Sequence, residues 1–388
     1  MLQCQRDRFS LPDDVHYLNG AYMSPLLLSV EEAGIRGIRA KRFPVDITPA
    51  DFFAGADTAR ALFASLIHAA DPQRVAILPA VSYGIAAAAR NTPVQAGQNL
   101  VLAEGQFPSN ALIWRRLARE RGAEVRTIGA PDRTLGRSRE WTARILDAID
   151  ADTAAVALAP VHWTDGTRFD LAAIGERARA QGAALVIDGT QAVGAMPFDI
   201  REAGADALVC AAYKWLLGPY SLAFGWFGPR YDQGIPLEEA WLARAESDDF
   251  RNLVTYRDEY RPAAARYDVG GRSNFVLMPM AIAALEQLLE WGVPEMEGYC
   301  GRLTAELFES LDELGFEADD EEGRAAHIFG LRAPAGLDNA ALKAELDRRA
   351  IYVSLRGSAV RVSPNVYNTP ADIAALRTAL AEVSPART

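Results

Sequence analysis

From residue 75 to residue 227 the chain repeats one pattern. Short, largely apolar runs at 75–78, 99–103, 124–128, 154–159, 184–187, 207–212 and 222–227 are separated mostly by stretches of helical period, such as 109–121, 141–148 and 171–181. Strands without polar alternation are buried on both faces, and crossover helices between them give a mainly parallel sheet covered on both sides. Only residues 214–221 separate the last two runs, too few for a crossover helix, so one of that pair is expected to be antiparallel. Ahead of the sheet lie a turn-rich segment (17–25) and two helical stretches, 29–42 and 57–70, the second ended by Asp71-Pro72. Behind it come an aperiodic aromatic stretch (235–267), helices at 278–291, 303–314 and 340–350, and short strands at 326–332, 352–355 and 359–363. The pattern predicts an α/β fold: a large domain over 20–285 with a seven-stranded sheet, and a smaller α+β domain over 286–388 joined by 1–19.

Composition narrows the function more than the fold. At 388 residues and 50% hydrophobic, the chain can bury one large core and one smaller one. A net charge of −11 argues against nucleic acid or an anionic membrane as partner. No apolar run is long enough to span a bilayer, and the first twenty residues lack the features of a signal peptide, so a cytoplasmic protein is expected. Cys4, Cys210 and Cys300 show no pair spacing, and the four histidines form no ligand set. Neither a disulfide framework nor a metal site is expected.

The candidate chemistry begins with a rare residue. Lys214 is one of three lysines in a chain whose lysines and arginines number 40, and it follows an apolar run between Tyr213 and Trp215. Arginine stays protonated, whereas a lysine in an apolar pocket loses its charge and becomes a nucleophile. A lysine snorkelling from a strand end would look the same in sequence.

Ligands in parallel α/β sheets gather at the carboxyl ends of strands, where four polar stretches fall. Leu78-Pro-Ala-Val-Ser-Tyr-Gly84 could seat a phosphate on the N–H groups around Ser82, or Ser82 could simply cap a helix. Glu104-Gly-Gln-Phe-Pro-Ser-Asn110 projects Phe107 over the sheet end, and Val161-His-Trp-Thr-Asp-Gly166 follows the next strand but one. Leu185-Val-Ile-Asp-Gly-Thr-Gln191 places Asp188 at the end of a buried strand, as a turn cap or as partner of a cationic ring nitrogen. Aspartate at 188 and lysine at 214, at the ends of successive apolar strands, match a pyridoxal-phosphate site. No GxGxxG dinucleotide fingerprint is present.

With these residues in view, the chain resembles the class V aminotransferase family of fold type I pyridoxal-phosphate enzymes from about residue 17 to 367. That family includes kynureninase, cysteine desulfurases and isopenicillin N epimerase-like proteins. The resemblance implies Lys214 as the Schiff-base lysine, Asp188 at the pyridine nitrogen, Gln191 near the ring hydroxyl, and Val81, Ser82 and Tyr213 at the phosphate. It implies Phe107 stacked on the ring, with Asn110 and Trp163 beside the cofactor as in the kynureninase-like branch. Arg361 would bind the substrate carboxylate through its planar fork, with Asn19 also at the substrate. Trp241 and Asn274 would come from the partner subunit of a homodimer.

The expected activity is deprotonation of an L-α-amino acid at Cα by Lys214, leading to transamination or a kynureninase-like β-elimination. Epimerisation is the nearest alternative, and a binding protein without turnover a more distant one. Residues 352–364 contain no cysteine, which weighs against desulfurase chemistry. Gln191 and Asn110 stand where kynureninase has histidine and aspartate, which weighs against kynurenine hydrolysis.

Overall fold

A two-residue strand near the N-terminus, β1 (His16–Tyr17), precedes helices α1 (Leu28–Ala40) and α2 (Asp51–Leu66). The apolar runs then form β2 (Val75–Leu78), β3 (Asn99–Ala103), β4 (Glu124–Ile128), β5 (Thr153–Leu158), β6 (Ala184–Asp188), β7 (Ala207–Ala211) and β8 (Ala223–Phe227). They make one sheet in the order β2-β8-β7-β6-β5-β3-β4. The pairs from β7 to β4 are parallel, and β8 runs antiparallel between β7 and β2, as the short 214–221 connection requires. The computed structural model describes residues 1–334, 336–356 and 359–384.

Alternation along the strands divides the core. In β6, Leu185 and Ile187 face the layer that holds α2, α5 (Arg137–Ala148), α6 (Leu171–Ala180) and α8 (Leu277–Trp291). Ala184 and Val186 face α3 (Val81–Arg90) and α4 (Ser109–Arg121). By the same period of two, Asp188 ends the strand on the α3 side. Gly84 sets how near α3 lies, since a Cβ there would come within 2.8 Å of the Val209 methyls.

The remaining helices are the short α7 (Ile200–Ala203), α9 (Val293–Leu314), α10 (Asn339–Arg348) and α11 (Pro370–Val383). A second sheet of β9 (Phe329–Arg332), β11 (Ser354–Arg356) and β12 (Ala359–Val362) is antiparallel in the order β11-β12-β9. It packs through Val360 and Val362 on Leu307 and Leu311 of α9, Leu346 of α10 and Leu376 of α11. β10 (Ile351–Tyr352) pairs in parallel with β1, which ties the N-terminal segment to this unit.

Local chemistry explains where the elements depart from the sequence pattern. α2 starts at Asp51 rather than 57, because the Asp51 carboxylate accepts from the Thr48 N–H (2.7 Å) and hydroxyl (2.8 Å). It stops before Asp71-Pro72, in a turn where His68 has φ +55°. α9 starts at Val293 rather than 303: Pro294 sits in its first turn, where the missing N–H is not needed. The run at 352–355 is divided between two sheets, and neither β1 nor α11 stands out from hydropathy. Among the described residues no helix is long and apolar enough to cross a membrane, and no cluster of His, Cys, Asp and Glu could hold a metal ion.

Candidate active site

β6 and β7 are parallel neighbours, so Asp188 and the turn after β7 open on the same sheet edge. That turn closes on itself through Gly218 N–H to Ala212 O (2.8 Å) and Leu217 N–H to Lys214 O (3.0 Å). Its geometry returns the Lys214 side chain over the sheet end. Lys214 and Asp188 line one cavity of about 270 Å³ and are only 7% and 6% exposed. Burial pulls the Lys214 amine down to about 8; Asp188 opposes the shift and Arg361 adds to it. Burial likewise raises the Asp188 carboxyl, countered by hydrogen bonds from Thr190 and by the Lys214 charge. The lysine Nζ lies 5.6 Å from the ring centres of both Phe107 and Tyr213.

The start of α3 forms one end of the cavity. Its N-cap, Ala80, has no side chain to accept hydrogen bonds, so the N–H groups of Val81 and Ser82 are left without helical partners. They line the cavity with Tyr213, Tyr220 and Ser221. Ser221 holds φ +63°, a left-handed conformation that costs a non-glycine residue about 1–3 kcal/mol. A helix N-terminus with hydroxyl groups around it is suited to a phosphate.

Phe107 and Trp163 form the outer wall, their rings edge-on at 5.6 Å. Trp163 Nε1–H donates to Gly105 O (2.7 Å). His162 lines the cavity with both ring nitrogens engaged, at Glu104 O (3.0 Å) and the Thr164 hydroxyl (2.7 Å). Asn110, expected at the cofactor, does not itself line the cavity. As the second residue of α4 it turns under the loop, donates to Gln106 Oε1 (3.0 Å) and accepts from Trp114 Nε1–H (3.2 Å). Gln106, which does line the cavity, donates in turn to Ala157 O, so Asn110 acts one step back by holding the loop that carries Phe107.

Gln191 sits on the floor, accepting from Trp215 Nε1–H (2.8 Å) and donating to Ala21 O (3.1 Å). This brings the N-terminal segment to the site: a Cβ on Gly20 would meet the Trp215 ring at 3.2 Å. His327, held by burial at about 4 and therefore neutral, packs edge-on against Trp215 and bonds Gln191 O (2.7 Å).

The β11–β12 hairpin reaches the site behind Trp163, near enough for the charges of Arg361 and Arg356 to act on Lys214, although neither arginine nor Asn19 lines the cavity itself. Arg361 is 1% exposed; its Nη1 donates to Trp163 O (2.8 Å) and its Nη2 to Ser354 Oγ (3.1 Å). Ser354 donates to Asn19 Oδ1 (2.9 Å), so Asn19 supports Arg361 through one hydroxyl. Burial and the neighbouring Arg356 pull the Arg361 guanidinium down to about 10. Arg356, Gln106 and Thr190 were not singled out from sequence. The signal for Arg356, a spacing of two from Ser354 on one strand face, shows only once residues 354–356 are read as a strand of their own.

Trp241 and Asn274 do not line the cavity of the chain that carries them. Trp241 is 41% exposed in an aromatic group with Phe52, Phe53 and Phe250. Asn274 caps α8, accepting from Val276 N–H (3.0 Å) and Leu277 N–H (2.9 Å).

Residues 48–382 match the aminotransferase class-V family. The chain belongs to that family. Its members are pyridoxal-phosphate enzymes, and this chain is one of them, with the fold type I architecture. It is similar to an uncharacterized aminotransferase of Bacillus subtilis, 26% identical over 80% of this chain and 79% of that protein. It is also similar to isopenicillin N epimerase of Amycolatopsis lactamdurans, 27% identical over 98% of each chain. In fold it is like the apo cysteine desulfurase of Thermococcus onnurineus NA1 (TM-score 0.84, 19% identity, 99% of each chain covered).

The residues present suit the class V cofactor. A helix start lacking a side-chain cap, a buried carboxylate and a desolvated amine all open on one cavity. No thiol lines it: Cys210 and Cys300 are buried in the core, and Cys4 contacts Asn368 O (3.6 Å).

Proposed function

We propose that this class V enzyme is an aminotransferase for an L-α-amino acid. Val81, Ser82 and Tyr213 would hold the phosphate of pyridoxal phosphate, Asp188 its ring nitrogen, Gln191 its ring hydroxyl and Phe107 a ring face; Lys214 would carry its aldehyde carbon. Bound there, the cofactor supplies an electron-accepting ring next to the substrate Cα. Arg361 binds the substrate carboxylate, and its bonds to Trp163 O and to Ser354, backed by Asn19, fix the direction of the fork. Lys214, with its amine brought near neutrality by burial, takes the proton from Cα and returns it elsewhere on the same side.

One observation carries this reading. Lys214 and His162 are the nitrogen bases lining the cavity, and both His162 nitrogens are committed to hydrogen bonds. A single free nitrogen base among the described residues favours proton relocation over inversion between two such bases. Epimerisation remains the second reading because the epimerase relative aligns over 98% of both chains. In this reading the enzyme is a homodimer in which Trp241 and Asn274 would reach the neighbour's site, and the chain divides into two domains near residue 285. The deciding experiment incubates the enzyme with L-amino acids, with and without 2-oxo acids, and measures new amino acid, ammonia and D-isomer. New amino acid that requires the oxo acid is expected. D-isomer formed without oxo acid would replace this reading with the epimerase, and ammonia with a β-lyase.

A further inference from the structure

Arg361 has a neighbour for which the proposed chemistry has no use. In the β11–β12 ladder Ser354 stands opposite Arg361 and Arg356 opposite Ala359. Residues two apart in a strand share a face, so Ser354, Arg356 and Arg361 project from one side of the hairpin. Leu355, Val360 and Val362 pack into the core on the other. The Arg356 guanidinium lies 5.4 Å from the ring centre of Trp163, the residue that lines the cavity and accepts from Arg361. Arg356 is near enough to lower the pKa of Arg361, and both arginines act on Lys214.

The two guanidinium groups have no protein carboxylate to answer them among the described residues. Their hydrogen bonds go to Leu355 O, Trp163 O and Ser354 Oγ, and the Nε of each is buried without a partner. Two like charges held together, one buried and one partly so, are tolerated when opposite charge arrives to meet them. A substrate α-carboxylate brings one negative charge and suits one fork. The second fork is left open.

We propose that Arg356 binds a second carboxylate, on the side chain of the substrate, and that the enzyme therefore takes dicarboxylic L-amino acids. Trp163 forms the apolar wall along which the connecting methylene groups lie. This substrate class rests on Arg361 being the α-carboxylate receptor, as proposed above, and adds what the side chain must carry.

The test needs no turnover. The holoenzyme is titrated calorimetrically with succinate and glutarate, and with propionate and butyrate as single-carboxylate controls. A dicarboxylate preference on the order of 10–100-fold is expected, the value of one additional charged hydrogen-bonded pair. Arg356→Gln should abolish the preference and leave the affinity for butyrate unchanged. Arg356→Lys, which keeps the charge but not the fork, should retain part of it, and Arg361→Gln should weaken both classes. Equal affinity of the unmodified enzyme for both classes overturns the proposal. So does an Arg356→Gln variant that keeps the preference, or one that loses butyrate and glutarate alike, which would make Arg356 a shared α-carboxylate ligand. Failure of the aminotransferase reading would show separately, in the product panel, with the carboxylate preference intact.

Discussion

Asp268 and the β11–β12 hairpin each gather two arginines, Arg60 and Arg272 buried at the first, Arg361 buried and Arg356 partly buried at the second, with opposite charge balance. At Asp268 one carboxylate accepts from both Arg60 and Arg272 and from the Ile77 N–H (2.8 Å), and Asp57 lies 3.6 Å from Arg60. Two acids meet two bases, and the cluster locks α2 and the 268–272 turn to β2. On the hairpin, Arg356 and Arg361 find only carbonyl and hydroxyl oxygens among the described residues. A buried charge that serves the fold carries its counter-charge within the chain. One that serves a ligand leaves that place free, at some cost in stability.

The contrast can be broken by substitution. The largest effect should come from the lysine the hairpin faces: Lys214→Ala should lower turnover by about 10²–10⁴-fold, read in the product panel, and stop exchange of the substrate Cα–H in deuterium oxide. Asp268→Ala leaves two guanidinium groups buried without their acid. It should destabilise the protein by about 3–5 kcal/mol in denaturant unfolding, with activity per folded molecule little changed. If stability holds, the Asp268 cluster is not the structural half of the pair.

Arg361→Met should do the reverse. It should lower kcat/KM by about 30-fold or more, from the loss of a charged, hydrogen-bonded contact of at least ~2 kcal/mol, while leaving stability unchanged or raising it by ~1 kcal/mol. A large loss of stability would show that Arg361 is structural. The smallest effect is electrostatic. In the cofactor-free chain, capture of an aldehyde by Lys214 requires the neutral amine, so its rate should rise with pH through about 8 rather than near 10. Removing the Arg361 charge favours the protonated amine, so Arg361→Met should move that midpoint upward.

The sheet was readable because strands such as β2 and β7 are short and close to uniform in hydropathy, and because eight residues cannot make a crossover. Asp188 and Lys214 were readable for a related reason: both follow strands whose ends topology brings together. The site was harder to read where it depends on direction within an element. Asn110 is three residues from Phe107, yet one helical turn carries it beneath the loop to Gln106. Arg356 belongs to a three-residue strand that hydropathy merged with 352–355, and the merged run hid the period of two that sets it beside Arg361. No local pattern could show that Gln191 and Arg361 are steadied by Ala21 and Asn19, since those contacts join positions 170 and more apart.

That last pair of contacts has a practical side. Residues 16–21 brace the pocket from behind through backbone pairing with β10, the Gly20 fit against Trp215 and the Asn19 prop. Trimming the chain into this stretch, or fusing a bulky partner there, would disturb substrate recognition while leaving the central sheet intact. A truncated preparation could then fold well, bind its cofactor and still pass for inactive.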